Sequence, residues 1–168
     1  MIATSTMVNT PDGVFTIVAS EEALLASGWT DDLARLIGLI HPRLRPYDVE
    51  PSARSPLLRE ASQAVGDYYD GDLTAPCRVP ARQQSGPFRQ AAWAALRTIQ
   101  VGQPITYAEL AARSGNPAAI RAAGSACASN AVALFVPCHR VIRSDGGLGG
   151  FAYGVPLKRG LLDREARA

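Results

Sequence analysis

The sequence predicts an α+β protein built from a small N-terminal α/β domain, residues 1–86, and a C-terminal helical domain with a helix-turn-helix, residues 87–168. Three observations support this prediction. Strand-like apolar runs lie early in the chain, a polar Gln-Gln-Ser-Gly-Pro linker occupies 83–87, and capped helical segments follow the linker. With 168 residues, 47% of them apolar, the chain is long enough to bury a core.

The strands are predicted at the start of the first domain. Val14–Ala19 is a β-branched apolar run that follows a Pro-Asp-Gly turn at 11–13. Leu24–Trp29 is a second apolar run at a distance suited to pairing with the first. Residues 72–86 are interpreted as strand and linker.

Two helices are predicted in the same domain. Asp31–Leu39 has apolar residues at helical spacing. Ser55 followed by Pro is a helix start, since Ser caps the first turn and Pro suits its first position. This second helix is expected to run to about Tyr69. The Pro- and Arg-rich stretch Pro42–Arg54 between the two helices is predicted to be a loop.

The second domain is predicted to be a series of short helices. Pro87–Ile99 has core spacing, and Thr106-Tyr-Ala-Glu109 fits a capping box that opens the next helix. That helix is expected to stop at Gly115, with another starting at once at Asn116-Pro117. Two short helices joined through a Gly turn are the layout of a helix-turn-helix.

The second helix of this pair, 118–129, consists almost entirely of small residues apart from Arg121. One interpretation is a helix that packs closely against its neighbours. The other is a slim face that enters a nucleic-acid groove with Arg121 projecting from it. The helix alone does not decide between them.

The charges are unevenly distributed. Residues 1–85 carry a net charge of −4 and residues 86–168 a net charge of +6, which indicates a polyanion-binding surface on the second half. Lys158 is the only lysine in the chain.

The three cysteines, Cys77, Cys127 and Cys138, are too few and too irregular for a secreted disulfide framework. No Cys-x-x-Cys or His-x-x-x-His spacing suggests zinc, so no metal site is expected. The chain also lacks an apolar run of membrane-spanning length and a signal-like start. We therefore expect a cytoplasmic protein.

Pro137-Cys138-His139-Arg140 interrupts a hydrophobic run and places a thiol beside one of only two histidines. A reactive thiol needs a neighbouring group that takes its proton. An isolated Cys-His pair is more often a buried structural Cys beside an incidental His. The surrounding residues favour the catalytic interpretation.

Together these residues resemble the O6-alkylguanine-DNA alkyltransferases, also called methylated-DNA–protein-cysteine methyltransferases, and look most like the C-terminal half of the Ada type. The resemblance spans Phe88–Glu165. It rests on Phe88, Trp93, Thr106-Tyr107, Arg121-Ala-Ala-Gly124, Asn130, Pro137-Cys-His-Arg-Val141, Gly146, Gly154, Lys158 and Glu165. Residues 1–86 resemble the family's RNase H-like domain in layout only.

The resemblance implies direct reversal of DNA damage without a cofactor. Cys138 would accept a methyl or larger alkyl group from O6 of guanine irreversibly, and O4 of thymine is left open as a second target. His139 would act as base through a water, and Glu165 would orient it. Tyr107 would donate a proton to the leaving base. Lys158 would lie near O6 or in the polar network of the site.

The resemblance also implies a partner, duplex DNA, and a protein that acts as a monomer. The damaged base would leave the stack, and Arg121 would fill the space. Further DNA-binding residues implied are Thr106, Gly124, Ala128, Ser129 and Arg140. The base pocket would be formed by Asn130, Val136, Val141, Phe151, Ala152 and Tyr153, with the Ala152 N–H donating to O6 and the carbonyls of Cys138 and Val141 accepting from the guanine amino group.

Several positions depart from the family pattern. Phe151 stands where Tyr is common, Tyr153 where Gly is common, and Ala131-Val-Ala133 where Pro is frequent. The first two suggest a tight pocket suited to a methyl group.

Three other functions are considered. A lesion-binding protein without enzymatic activity would lack the cysteine, and a methylation sensor would need the Cys-rich metal domain of Ada. A thiol hydrolase using Cys138 and His139 would turn over repeatedly.

Overall fold

A computed structural model describes all 168 residues and divides them into two compact units. The first unit comprises Met1–Gln84 and Ala131–Phe135, and the second comprises Ser85–Asn130 and Val136–Ala168. The predicted α+β class is confirmed. No local pattern in the sequence reveals that Ala131–Phe135 belongs to the first unit.

The first unit contains a four-stranded sheet with the strand order β3-β2-β1-β4. Its strands are β1 (Ile2–Thr10), β2 (Gly13–Ala19), β3 (Leu24–Gly28) and β4 (Asp48–Pro51). β2 pairs antiparallel with β1 and β3, whereas β1 and β4 are parallel. The predicted pairing of the strands at 14–19 and 24–29 is confirmed.

The strands β1 and β4 were not predicted. β1 is rich in Thr and Ser and lacks an apolar run. Its strand conformation depends on pairing with β2 and β4, which a local pattern does not show. β4 lies inside the predicted loop Pro42–Arg54, and its Pro51 is tolerated because β4 is an edge strand. The expected strand in 72–86 is wrong, because that stretch holds a short 3₁₀ turn, Ala75–Arg78, and only a single bridge from Ala81 to Leu24.

Two helices complete the first unit, as predicted. α1 (Leu33–Leu39) is capped by Asp32, whose side chain accepts from the Arg35 N–H. α2 (Pro56–Tyr69) is capped by Ser55. The residues that α2 buries are Leu57, Leu58, Ala61, Ala64, Val65 and Tyr68.

Tyr69 joins the end of α2 to Asp12 in the turn between β1 and β2 and to Trp29 after β3. Trp29 Nε1 donates to Tyr69 Oη at 2.9 Å, and Tyr69 Oη donates to Asp12 Oδ2 at 2.7 Å. Burial and the Asp12 carboxylate raise the pKa of Tyr69 to about 12. The phenol therefore stays protonated and bridges both partners.

The second unit is mainly helical. Its elements are α3 (Pro87–Leu96), β5 (Ile105–Thr106), α4 (Tyr107–Arg113), α5 (Ile120–Ala128), β6 (Val141–Ile142) and α6 (Val155–Ala166). Its core includes Trp93, Leu96, Leu110 and Leu161. None of the six α-helices has the length and hydrophobicity needed to cross a lipid bilayer.

The helix boundaries around α4 and α5 differ from the prediction in two details. Thr106 Oγ1 caps α4 as expected, but the Glu109 carboxylate binds Arg113 instead of returning to Thr106. α5 begins at Ile120 because Asn116 Oδ1 accepts from the Ala118 N–H and forms a separate turn. The two helices are present, and their use as a helix-turn-helix stays a prediction.

Replacing Tyr69 with Phe should lower the free energy of unfolding by about 1–2 kcal/mol, because the Trp29 N–H loses its acceptor. Urea unfolding measures this loss. The matched control is Tyr47→Phe, since Tyr47 is 77% exposed. Equal stability of the two variants would contradict a structural role for the Tyr69 hydroxyl.

Candidate active site

The pairing of β5 with β6 places Tyr107, which follows β5, near Cys138, which precedes β6. Cys138 opens a 3₁₀ turn, Cys138–Arg140, which leads directly into β6. β6 pairs in parallel with β5, so that Ile105 lies opposite Val141. Because Thr106 ends β5 and caps α4, Tyr107 starts its helix beside this pair of strands.

The Cys138 thiol is largely hidden, with a relative exposure of 9% for the residue. Burial raises the pKa of this thiol, while a hydrogen bond from Asn130 and the charge of Lys158 act in the opposite direction. The thiol is therefore mainly protonated and needs a base in order to react.

His139 and Glu165 form a buried pair. His139 Nε2 lies 2.6 Å from Glu165 Oε2, although the residues are 26 positions apart. Burial alone would raise the pKa of Glu165, but His139 and Arg140 hold it at about 2. The carboxylate is therefore ionised, and it accepts the proton on Nε2.

This arrangement fixes the tautomer of His139. Burial lowers the pKa of His139, so the imidazole is neutral despite the opposing effect of Glu165. With Nε2 protonated towards Glu165, the lone pair resides on Nδ1. Nδ1 is buried and has no hydrogen-bond partner in the protein. The residue next to the thiol thus offers a free base.

Arg140 corrects one prediction. It was expected to bind DNA, but it is only 3% exposed. Its Nε donates to Glu165 Oε1 at 2.6 Å and its Nη1 to the Ile99 carbonyl at 3.2 Å. The guanidinium therefore neutralises the buried carboxylate and is not available to a phosphate.

Lys158 lies in a network of backbone carbonyls. Its Nζ donates to Val141 O at 2.7 Å, to Leu148 O at 2.6 Å and to Gly150 O at 3.4 Å. Burial lowers the pKa of this ammonium group. Lys158 on α6 thus ties β6 to the following loop, and it donates to the same Val141 carbonyl that is expected to accept from guanine.

The same loop packs against Tyr107. Gly149 has a φ of +74°, and a Cβ there would lie 2.6 Å from Tyr107 Oη. Only glycine meets both conditions without a shift. Burial, followed by the neighbouring Cys127 and Cys138, raises the pKa of Tyr107 to about 12. Gly149 was not among the site residues expected from the sequence, although the Gly-rich run 146–150 signals close backbone approach.

The remaining pocket residues lie along this loop and before Cys138. Phe151 and Tyr153 are half-buried and meet edge to face at 5.7 Å between ring centroids, and Ala152 between them is exposed. Asn130 Nδ2 donates to Val136 O at 2.8 Å, and both residues are buried. All three cysteines are free thiols.

α5 combines both interpretations that the sequence left open. Ala123 and Ala126 are buried, and the Trp93 indole donates to the Ala126 carbonyl at 2.9 Å. Arg121 and Ala128 are exposed on the other side, and the half-buried residues there are Gly124 and Ser129. One face packs on α3, and the other is slim and carries a single cation.

Comparison with known proteins identifies the family. The family model described as "6-O-methylguanine DNA methyltransferase, DNA binding domain" matches residues 87–167. A methylated-DNA–protein-cysteine methyltransferase of Shigella flexneri is 36% identical over 163 residues, which cover 93% of this chain and 91% of the relative. The chain belongs to the methylated-DNA–protein-cysteine methyltransferase family.

Two other relatives place this methyltransferase family member in context. The bifunctional transcriptional activator and DNA repair enzyme Ada of Escherichia coli is 37% identical over 150 residues, 89% of this chain. The match spans only 42% of Ada. Mycobacterium tuberculosis OGT, solved in complex with DNA, has 28% identity and a TM-score of 0.80, over 98% of this chain and 93% of that one.

The stability of this methyltransferase family member should fall as pH drops from about 6.5 towards 2. The pKa values of His139 and Glu165 are both lowered by folding, from 6.5 and 4.5 respectively. Below these values the unfolded chain binds more protons than the folded one, so acid favours unfolding. Urea unfolding at pH 7, 5.5 and 4 measures the trend.

The matched variant is Glu165→Gln. It should be less stable at pH 7 by about 3 kcal/mol or more, because Arg140 remains buried without a carboxylate. Its loss of stability below pH 5 should also be smaller. A wild-type protein whose stability is unchanged from pH 7 to pH 4 would contradict the paired state of Glu165.

Proposed function

We propose that the protein repairs O6-alkylguanine in duplex DNA by transferring the alkyl group to its own Cys138. The observation that carries the proposal is the buried Glu165–His139 pair, which leaves the lone pair of Nδ1 on the residue next to the thiol. Family membership and the similarity to a solved DNA complex support it. We assign DNA binding and alkyl transfer to the domain 87–168. Residues 1–86 form the N-terminal α/β domain, to which neither activity is assigned.

The transfer is a single displacement. The Cys138 proton passes to His139, through a water as the resemblance implies, and Glu165 stabilises the resulting imidazolium. The thiolate attacks the alkyl carbon, a C–S bond forms, and the C–O electron pair goes to guanine O6. Tyr107, whose pKa of about 12 keeps it protonated, supplies a proton to the leaving base.

The product limits the protein to one reaction. A thioether has no ready leaving group, so Cys138 is consumed and each molecule acts once. The reaction needs a free thiol, which favours the reducing cytoplasm as the site of action.

DNA would be held by the slim face of α5. Gly124 and Ala128 allow the nucleic-acid backbone to approach closely, and Arg121 would enter the space left by the extruded base. We propose that one monomer suffices, since a single copy holds all of these groups.

Incubation with a duplex that contains O6-methylguanine should add one methyl group to Cys138. Intact-protein mass spectrometry should show a single increment that does not grow with excess DNA. Cys138→Ala should show none, and Cys127→Ala should behave like the wild type. Continued turnover of an acyl substrate would favour a thiol hydrolase, and lesion binding without an increment would favour a sensor.

Arg121→Ala should slow methyl transfer from duplex DNA by about 10-fold or more, because the extruded base loses the group that fills its place. The effect should be smaller on single-stranded DNA, where no stack has to be opened. Arg113→Ala is the matched control, since Arg113 is an exposed arginine paired with Glu109 on α4. Equal losses on single strands and duplex would exclude a role in base extrusion.

A further inference from the structure

Ala131–Phe135, which we call the anchored segment, connects Asn130 to Val136, two residues before Cys138. Every residue in it is buried, with a relative exposure of 3% or less. Ser27 on β3 pairs with it like an added strand, since the Ser27 N–H donates to Ala131 O at 2.9 Å and Ala133 N–H donates to Ser27 O at 3.3 Å.

Two side chains strengthen this attachment. Ser27 Oγ donates to the Ala133 carbonyl at 2.7 Å. Gln83 Oε1 accepts from the Ala131 N–H at 2.9 Å. The stretch Ala131-Val-Ala133 stands where Pro is frequent in the family that the sequence resembles, and a proline at 131 or 133 could not donate the corresponding backbone hydrogen bond. These contacts therefore depend on residues in which this chain departs from the family pattern.

The segment also contains the one non-glycine residue of the chain with a positive φ. Leu134 has a φ of 72° and is 1% exposed. For a bulky residue this conformation is strained, and it persists only where the surroundings fix it. The contacts of Ser27 with Ala133, the preceding residue, provide such fixation.

The end of the segment is linked to the nucleophile. Val136 O accepts from Asn130 Nδ2 at 2.8 Å and from the Cys138 N–H at 2.9 Å. One carbonyl thus holds both the residue before the segment and the backbone of the reactive cysteine. A change in the path of the segment would move this carbonyl, and Cys138 with it.

We propose that Gln83 and Ser27 are positioning residues for Cys138 and act through the anchored segment. They touch no reacting atom. Their contribution is to hold Leu134 in its strained conformation, so that Val136 O presents Cys138 in line with the alkyl carbon. The kinetic part of this inference rests on the proposed function.

The test compares Gln83→Leu and Ser27→Ala with the wild type. The single-turnover rate of methyl transfer at saturating duplex should fall about five- to tenfold in each variant, the effect of one lost hydrogen bond on the alignment of the thiol. The Kd for an unmodified duplex should stay within about twofold, since no phosphate contact is removed. Gln83→Glu keeps an acceptor oxygen and should react at nearly the wild-type rate.

Gln84→Leu is the matched control, because Gln84 is a half-buried neighbour of the same type. Melting temperatures of all variants show how much folded protein is present. The proposal is overturned if Gln83→Leu and Ser27→Ala fold and react like the wild type. It is also overturned if their rates fall only in proportion to the unfolded fraction.

A second measurement is independent of methyl transfer. Iodoacetamide labelling of Cys138, followed by peptide mass, should be several-fold faster in Gln83→Leu, because a released segment uncovers the thiol. The half-buried Cys77 is the internal reference. If the wild type takes up no methyl group, the proposed function fails, whereas labelling still decides the positioning role. Unchanged Cys138 labelling in both variants would contradict it.

Discussion

The shared carboxylate of Glu165 is the interaction on which the second unit depends. Its two oxygens bind His139 and Arg140, each at 2.6 Å, and all three side chains are buried. A buried anion is tolerated only when it is paired, and here the permanently charged Arg140 pairs it and continues to the Ile99 carbonyl. The carboxylate therefore both holds α6 to the turn at Cys138 and fixes the orientation of the His139 imidazole.

Burial keeps both Cys138 and His139 neutral in the resting protein. It raises the pKa of the Cys138 thiol and lowers that of His139, so both groups are neutral at rest. A neutral pair avoids the cost of burying two charges, and in the proposed transfer Glu165 would stabilise the imidazolium. Lys158 contributes differently, because its ammonium group is engaged by backbone carbonyls.

Local signals explain what the sequence predicted correctly. Ser55 and Thr106 cap helices where expected, because capping depends on residues within one turn. The adjacency of Cys138 and His139 is covalent, but the approach of Glu165 depends on the whole fold and was expected only through the family resemblance. The interior role of Arg140 was missed because an Arg in a basic half is indistinguishable from a DNA contact until its burial is known.

The backbone conformation of the anchored segment, which precedes Cys138, is harder to predict from the sequence than the position of Cys138 itself. Its hydrogen bonds come from Ser27 and Gln83, far away in sequence, and its strain resides in Leu134, whose side chain carries no sign of its backbone conformation. Proline would stiffen such a path covalently by fixing φ. Alanine keeps its backbone N–H as a donor, and in this chain the N–H groups of Ala131 and Ala133 hold the segment through tertiary hydrogen bonds. Rigidity near Cys138 is therefore a property of the fold, which the local sequence does not encode.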